Sequence, residues 1–300
     1  MSHKAAVNFA HTGPGAVDFF MRSVRYCPPA PLNAIVDCFW WSQRDAAEIS
    51  CEHMLPSGNV SLVFALHEAP IACLPGRSSN EPLVWSRGIV HGPQRSYFVS
   101  APKPPGAVAG VTFRPGAAGA VLSVPMTELT DRHVTIDELW GSRGRTLHER
   151  LLTVPEPPAV FQLLEQYMIA RLQCPLLIHP AVACALAFHP PAWSASRVTD
   201  IQRQTGYSHR HFIALFRSAV GLAPKHYFRV KRFASVLQRL ANGKTDLADL
   251  AASVGYSDQS HMSREFRDFA GITPTQYRPR GPDGIFHHRT GSAARSGGAR

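Results

Sequence analysis

Residues Leu247–Tyr277 read LADLAASVGYSDQSHMSREFRDFAGITPTQY, a pattern typical of two short helices joined by a tight turn. The i, i+3, i+7 spacing of one helix face predicts a first helix from Leu247, Leu250 and Val254. Gly255 is predicted to end it in a left-handed conformation, and Ser257 to cap the next helix. The stretch therefore predicts a helix-turn-helix unit.

The second helix of this unit has two faces of different character. Its predicted inward face is apolar and consists of Met262, Phe266 and Phe269. At about 100° of rotation per residue, the opposite face carries Ser260, Arg264 and Arg267. A helix with an apolar back and a small, basic front suits the major groove of DNA.

The same pattern occurs once before, between Val198 and Tyr227. Val198, Ile201 and Thr205 correspond to the first helix, and Gly206-Tyr207-Ser208 to the turn, at an offset of 49 residues. After the turn the offset is 50, which aligns Phe212 and Phe216 with Met262 and Phe266. A repeat of this length indicates a duplicated structural unit. Between the units, Pro224 to Leu240 predicts one long helix that Asn242-Gly243 ends.

Residues of about 180–278 resemble the DNA-binding domain of AraC/XylS-type transcriptional regulators. The second unit carries most of the family signature, including Val254-Gly255-Tyr256-Ser257, Ser263-Arg264, Gly271-Ile272-Thr273-Pro274 and Tyr277-Arg278. His261-Met262 departs from the aromatic pair that is usual in the family. The resemblance implies a double helix-turn-helix domain that binds DNA.

The charge of the chain is concentrated in this region. Residues 1–192 carry 14 Lys/Arg and 14 Asp/Glu, whereas residues 193–280 carry 14 against 6, a net charge of +8. A neutral domain joined to a basic one is typical of nucleic-acid-binding proteins. A general solubilising surface bias would explain the total charge but not this segregation.

The first half of the chain predicts a mainly antiparallel β sheet or small barrel followed by helices, so the fold class is α+β. Turn residues separate six apolar runs. These predicted strands are Ile35–Trp41, Ile49–Leu55, Val60–Leu66, Val84–Val90, Tyr97–Ser100 and Val108–Phe113. Predicted helices follow at Ala117–Leu122, at Ile136–Leu152 with a break at Gly141–Gly144, and at Pro157–Leu172. The stripe on the last helix could serve a dimer or cover the sheet.

Four segments follow from these patterns: a flexible N-terminus at 1–25 with a short helix at Val17–Val24, a domain at 26–174, the double helix-turn-helix domain at 175–279, and a disordered tail at 280–300. The second segment resembles an N-terminal domain of some AraC-type regulators. The resemblance implies a sensory or dimerisation role. The motifs that carry it are Tyr26-Cys27-Pro28-Pro29, Leu55-Pro56-Ser57-Gly58, His91-Gly92-Pro93-Gln94, Phe113-Arg114-Pro115-Gly116 and Leu129-Thr130-Asp131-Arg132.

No residue pattern predicts a catalytic or metal centre, so we expect no enzyme activity, no metal and no cofactor. His53, His67, Glu68 and His91 lack the close spacing of a barrel metal site. The six cysteines contain no C-x-x-C pair, and reduced thiols are the default expectation. A sensor enzyme with a reactive cysteine is the alternative of another class, and a nonspecific DNA-binding protein is a second alternative.

The sequence thus predicts a sequence-specific transcriptional regulator that binds double-stranded DNA through helices His209–Val220 and Asp258–Ala270. RNA polymerase is an expected partner of an activator; a small-molecule effector and a homodimer are left open. No apolar run approaches the ~20 residues of a membrane span, so we expect a cytoplasmic protein. The predicted DNA-binding residues are His209, Arg210, Ala214, Arg217, Lys231, Gln259, Ser260, Ser263, Arg264 and Arg267.

Overall fold

A computed structural model describes most of the chain between residues 21 and 289. The described residues are 21–44, 50–74, 82–154, 156–172, 178–187, 203, 206–243, 246–279 and 284–289. The predicted first helix of the upstream unit, with Val198, Ile201 and Thr205, lies outside these residues, as does Val17–Phe20 of the predicted N-terminal helix.

The described strands form two antiparallel sheets. The first has the order β1-β2-β9-β4-β7-β10 and the second the order β11-β3-β8-β5-β6. The strands are β1 (Met21–Tyr26), β2 (Val36–Arg44), β3 (Glu52–Met54), β4 (Ser61–Ala65), β5 (Ile71–Leu74), β6 (Leu83–Trp85), β7 (Gly88–His91), β8 (Phe98–Ser100), β9 (Gly106–Phe113), β10 (His133–Thr135) and β11 (His287–Arg289).

Five regions differ from the prediction, and two of them, Ile71–Leu74 (β5) and His133–Thr135 (β10), are strands that were not predicted. Val84–Val90 is two strands, because a bend at Ser86-Arg87 sends β6 into the second sheet and β7 into the first. Met21–Tyr26 is a strand paired with β2, where a helix and a flexible segment were predicted. His287–Arg289 pairs with β3, so this part of the predicted disordered tail is ordered. The other predicted strands are confirmed with shifted ends.

The first half also contains the predicted helices. These are α1 (Gly119–Leu122), α2 (Ile136–Trp140), α3 (Ser142–Leu152) and α4 (Pro157–Arg171), with short 3-10 helices at Leu32–Ala34 and Met126–Glu128. Gly141, at φ +55°, makes the predicted break between α2 and α3. The apolar stripe of α4 covers the first sheet, where Phe161 contacts Tyr26 and Phe39. Of the two roles considered for this stripe, the structure shows the covering one.

The second half is helical. It contains α5 (Pro180–Leu186), α6 (His209–Val220), α7 (Pro224–Ala241), α8 (Leu247–Ser253) and α9 (Gln259–Ala270). The predicted connecting helix is α7, and the second helices of the two units are α6 and α9. Among the described residues, no helix has both the length and the apolar character that crossing a membrane requires.

Buried apolar side chains form separate clusters. One lies between the first sheet and helices α1–α4, a smaller one lies between the two sheets, and a third belongs mainly to the helical half. The third cluster also takes in Leu55, from the turn after β3. The two halves are therefore packed against each other in this structure.

Candidate nucleic-acid interface

Helices α6 and α9 begin with matching caps. The Ser208 hydroxyl accepts the backbone N–H of His211 in the first unit, and the Asp258 carboxylate accepts that of His261 in the second. Asp258 therefore caps α9, and the prediction of Ser257 was wrong by one residue. Hydrogen bonds from the His261 backbone and then the Ser257 hydroxyl lower the pKa of Asp258. Its negative charge suits the amino terminus of a helix.

Helices α6 and α9, which we call the recognition helices, both pack their apolar backs against α7. In the first unit the Phe216 ring lies 5.5 Å from the ring of Tyr227. In the second, Phe233 lies 5.1 Å from Phe266 and 5.2 Å from Phe269, between ring centroids. Phe212, Phe216, Met262, Phe266 and Phe269 are all buried, as predicted. Helix α7 is thus the shared support of the two units.

The faces of these helices opposite the buried side chains are open to solvent. Eight of the predicted residues are exposed: His209, Arg210, Ala214 and Arg217 on α6, and Gln259, Ser260, Arg264 and Arg267 on α9. Ser263 is half-buried on α9. Each helix therefore presents a polar face with basic side chains beside an apolar back.

The prediction that Lys231 belongs to the DNA-binding face is wrong, because its side chain does not reach this face. The ammonium group donates a hydrogen bond of 3.4 Å to the Ser57 carbonyl and lies 5.9 Å from the centroid of the Tyr227 ring. Burial lowers the pKa of Lys231, and the charge of Asp37 opposes that shift. The residue is directed at the turn between β3 and β4, so we remove it from the DNA-binding set.

A buried ionic network that the sequence reasoning missed holds α9 against α7. Glu265, only 4% exposed, accepts hydrogen bonds from Arg229 at 2.7 Å, Arg232 at 2.9 Å and the Tyr256 hydroxyl at 2.8 Å. Burial would raise the pKa of Glu265, but these bonds and the charge of Arg232 outweigh it and lower the pKa. The available signal was the pair of arginines three residues apart on α7, together with Tyr256.

The two units differ at this position. Leu215 stands in α6 where Glu265 stands in α9, at the offset of 50 residues. Tyr207, the counterpart of Tyr256, is 38% exposed and its hydroxyl lies 3.3 Å from His179 Nε2. The ionic network therefore belongs to the second unit, so that unit has a polar attachment to α7 in addition to its apolar contacts.

Two of the histidines considered earlier contact other residues of the fold. His91 Nδ1 lies 2.8 Å from His133 Nδ1, while His53 Nδ1 lies 2.9 Å from the Ala270 carbonyl. Burial raises the pKa of the Cys73 thiol to about 12, which opposes formation of a reactive thiolate. Within the described residues, no three His, Cys, Asp or Glu side chains are grouped as a metal site would require. Cys174 lies outside those residues.

Comparison with protein families gives one match in each half of the chain. A helix-turn-helix domain family matches residues 201–280, and a family described as a domain of unknown function matches residues 24–135. The first match contains α6, α7, α8 and α9. The second contains ten of the described strands in whole or in part, from β1 to β10.

Two proteins illustrate the relatives. Over 90 residues the chain is 30% identical to the Msm operon regulatory protein of Streptococcus mutans. This match covers 30% of this chain and 32% of that protein. Over 104 residues it is 34% identical to a Streptomyces antibioticus protein whose name describes it as an AraC-like transcription regulator, covering 34% of each. The matches thus span about a third of the length of these relatives.

A solved structure of a ToxT variant from Vibrio cholerae aligns with 79% of this chain and 95% of its own, at a TM-score of 0.45 and 11% identity. The sequence matches and the geometry of α6 to α9 lead to the same conclusion for the helical half. The chain carries an AraC-type helix-turn-helix domain at residues 201–280, preceded by a domain of unknown function at residues 24–135.

Proposed function

We propose that the chain is a sequence-specific DNA-binding transcriptional regulator whose helices α6 and α9 enter successive segments of the major groove. The observation that supports it most is the duplication: two helices of matching pattern pack apolar backs on one connecting helix and expose polar, basic fronts. Successive major-groove segments on one face of DNA lie about 34 Å apart, one helical turn. The net charge of +8 over residues 193–280 would attract the phosphates.

The exposed side chains divide into two proposed roles. Arg217 and Arg267, toward the ends of their helices, would hold phosphates, which position a protein without carrying sequence information. His209 and Ala214 complete the face of α6. The residues that would read base edges, nearer the helix starts, are Arg210, Gln259, Ser260, Ser263 and Arg264.

The remaining assignments extend the same proposal. The N-terminal domain would sense a small-molecule effector or mediate homodimerisation, and RNA polymerase would be the partner if the chain activates transcription. The relatives have names of regulators, so we propose no enzymatic activity. A protein with this function would act in the cytoplasm, where bacterial-type promoters are found.

Replacing Arg264 by alanine should change which DNA sequence is preferred. An exposed arginine on the front of α9 can donate two parallel hydrogen bonds to guanine O6 and N7. We therefore expect Arg264→Ala to cost about 1–3 kcal/mol on the preferred site and to relax the preference at one base position. Selection from randomised double-stranded DNA with the wild-type and variant chains measures both effects.

Arg267→Ala is the matched comparison, because it removes one positive charge from the same helix. If Arg267 holds a phosphate, this variant should weaken binding to all sequences alike and lower the salt slope by about one unit. An Arg264→Ala chain that keeps its preferred sequence and merely binds everything less tightly would contradict the base-reading role. A wild-type chain that selects no sequence at fixed salt would instead support the nonspecific alternative.

A fragment that begins at residue 176 should fold alone and bind DNA. Residues of the fragment form almost all of the buried cluster of the helical half. The fragment lacks Leu55, which belongs to the same cluster. Circular dichroism and titration with selected DNA measure folding and affinity. An unfolded fragment, or a folded one without affinity for DNA, would show that this segment is not an independent DNA-binding domain.

A further inference from the structure

The carboxyl ends of both recognition helices face the N-terminal domain. Each helix is followed by a glycine with positive φ, Gly221 at +86° and Gly271 at +71°. A β-carbon on Gly221 would lie 2.3 Å from Pro93 Cγ, and one on Gly271 would lie 2.5 Å from the Tyr97 ring. Both positions therefore require glycine for their conformation and for the close approach of the N-terminal domain.

Hydrogen bonds secure both ends. The Thr130 hydroxyl donates to the Gly221 carbonyl at 2.7 Å, just after α6. In the last turn of α9, the Tyr97 backbone N–H donates to the Phe269 carbonyl at 2.8 Å, and His53 Nδ1 donates to the Ala270 carbonyl at 2.9 Å. A helix cannot satisfy its own last carbonyls. Donors from the N-terminal domain satisfy two of those carbonyls in α9.

One short segment of the N-terminal domain lies against the carboxyl ends of both helices. Gly92–Tyr97, which we call the spacing loop, contacts Gly221 through Pro93 and the end of α9 through Tyr97. Between them, Arg95 lies close to His226 of α7, whose pKa is lowered mainly by burial and also by the charges of Arg229 and Arg95. The spacing loop thus touches both recognition helices and the connecting helix.

A second segment holds the spacing loop in place. Residues Leu129–Arg132, the pinning segment, supply Asp131, whose carboxylate accepts the Arg95 backbone N–H at 2.7 Å and pairs with the Arg95 guanidinium. The Asp131 N–H donates to the Pro93 carbonyl at 3.1 Å, and the Gly92 N–H donates to the Arg132 carbonyl at 3.0 Å. These bonds join two of the motifs that carry the resemblance of the N-terminal domain, His91–Gln94 and Leu129–Arg132.

A third contact between the two halves of the chain lies beside the carboxyl end of α9. Strand β11, which follows the second unit, pairs antiparallel with β3, so that His288 lies opposite His53. The Leu55 N–H also donates to the Phe286 carbonyl at 2.7 Å. Since β3 carries His53, this pairing holds the donor to Ala270 near the end of α9.

We propose that the spacing loop, together with the neighbouring donors Thr130 and His53, fixes the separation and mutual orientation of the two recognition helices, and so the number of base pairs between the two DNA segments that they read. This inference rests on the proposed function. Helix α7 supports the backs of the helices, and the loop restrains their carboxyl ends. Arg210 and Arg264 stay exposed, so the docking leaves the reading faces open. Thr130 and His53 are therefore positioning residues rather than DNA contacts.

The test uses the full chain and a DNA site that the wild type selects from randomised double-stranded DNA. One or two base pairs are inserted or deleted between the two contacted segments, and Kd is measured for each spacing. We expect each changed base pair to cost the wild type about tenfold, because one helix is then out of register. In the Thr130→Val, His53→Phe double variant the cost should fall below about threefold, since helices with a looser mutual position can follow the changed spacing.

The controls separate positioning from general damage. Thr153→Val removes another threonine hydroxyl bond to a carbonyl, that of Arg150 at 2.8 Å, far in sequence from the spacing loop. It should keep the wild-type spacing profile, as should Thr130→Ser, which retains the hydroxyl. Phenylalanine at position 53 retains a ring against Tyr97, where the present centroid separation is 4.3 Å. Circular dichroism verifies that each variant is folded.

Failure of this inference and failure of the proposed function give different results. If the wild type selects no DNA sequence, the proposed function fails. If it selects a site but tolerates altered spacing, or if the double variant keeps the tenfold cost, the proposed role of the spacing loop with Thr130 and His53 is wrong. A double variant that is unfolded would be replaced by the two single variants, each of which should lower the cost of altered spacing.

Discussion

Replacing Glu265 by alanine should lower the free energy of unfolding of the helical domain by about 3–5 kcal/mol, because it leaves buried charged partners uncompensated. Arg232 has a side chain 12% exposed, and the Tyr256 hydroxyl is buried; both would lose the Glu265 carboxylate as an acceptor. The unfolding of the helices in urea, followed by circular dichroism, measures the loss.

Asp268→Ala is the matched control, since it removes an exposed carboxylate from the same helix and should change stability by less than about 0.5 kcal/mol. Glu265→Gln keeps the shape and an acceptor for Tyr256, so its cost should lie between the two. Equal, small losses for Glu265→Ala and Asp268→Ala would mean that the network contributes little to stability.

The same network should make stability depend on pH. The pKa of Glu265 is lower in the folded protein than in the unfolded chain. The folded state therefore favours the ionised carboxylate, and its contribution is present above the unfolded pKa of about 4.3 and is lost as pH falls through the folded pKa. In Glu265→Ala this part of the acid dependence should be absent, which urea unfolding at a series of pH values measures.

Replacing Ala234 by proline should break the connecting helix and abolish most of the sequence preference for DNA. Ala234 lies inside the 18-residue helix α7, next to the buried Phe233 that contacts both Phe266 and Phe269. Proline there removes a backbone donor and clashes with the preceding turn, at a cost of about 3 kcal/mol or more. The two recognition helices would lose their common support, so binding to the selected site should fall more than binding to random DNA.

Ala234→Gly is the milder control, because it costs about 1 kcal/mol in a helix interior but keeps the backbone donor. It should retain the sequence preference. Kd values on selected and random DNA at one salt concentration decide the matter. Equal losses on both DNAs in Ala234→Pro would contradict the role of α7 as a rigid support.

Local patterns were enough to predict the helical half. The bounds of α6 were predicted to the residue, and α7 and α9 to within one residue. The left-handed conformation predicted for Gly255 is also confirmed, at φ +82°. These features depend on helix periodicity and on turn chemistry within a few residues. For the same reason the exposed face could be predicted for eight residues, since the face opposite a buried stripe is determined by rotation alone.

Contacts between distant residues decided what the sequence could not. The helical pattern placed Lys231 on the DNA-binding set, but Ser57 and Gly58 of the other domain surround its side chain. Only the fold brings Arg229 and Arg232, more than 30 residues earlier, against the carboxylate of Glu265.

The assignment of strands to sheets in the N-terminal domain also depends on tertiary contacts. Val84–Val90 was predicted as one strand, and only the pairing of its two halves with different partners shows that it divides between two sheets.

The sequence by itself determined that two helix-turn-helix units share a helix, because the free energy of each helix depends on neighbours three or four residues away. Only the tertiary structure decided that Gly92–Tyr97 and Leu129–Arg132 meet, and that they dock against the ends of both recognition helices. Those contacts join residues separated by 36 to 217 positions, such as Arg95 with Asp131 and His53 with Ala270. Periodicity carries no information over such distances, and the contacts exist only where the packed domains bring donors and carbonyls together.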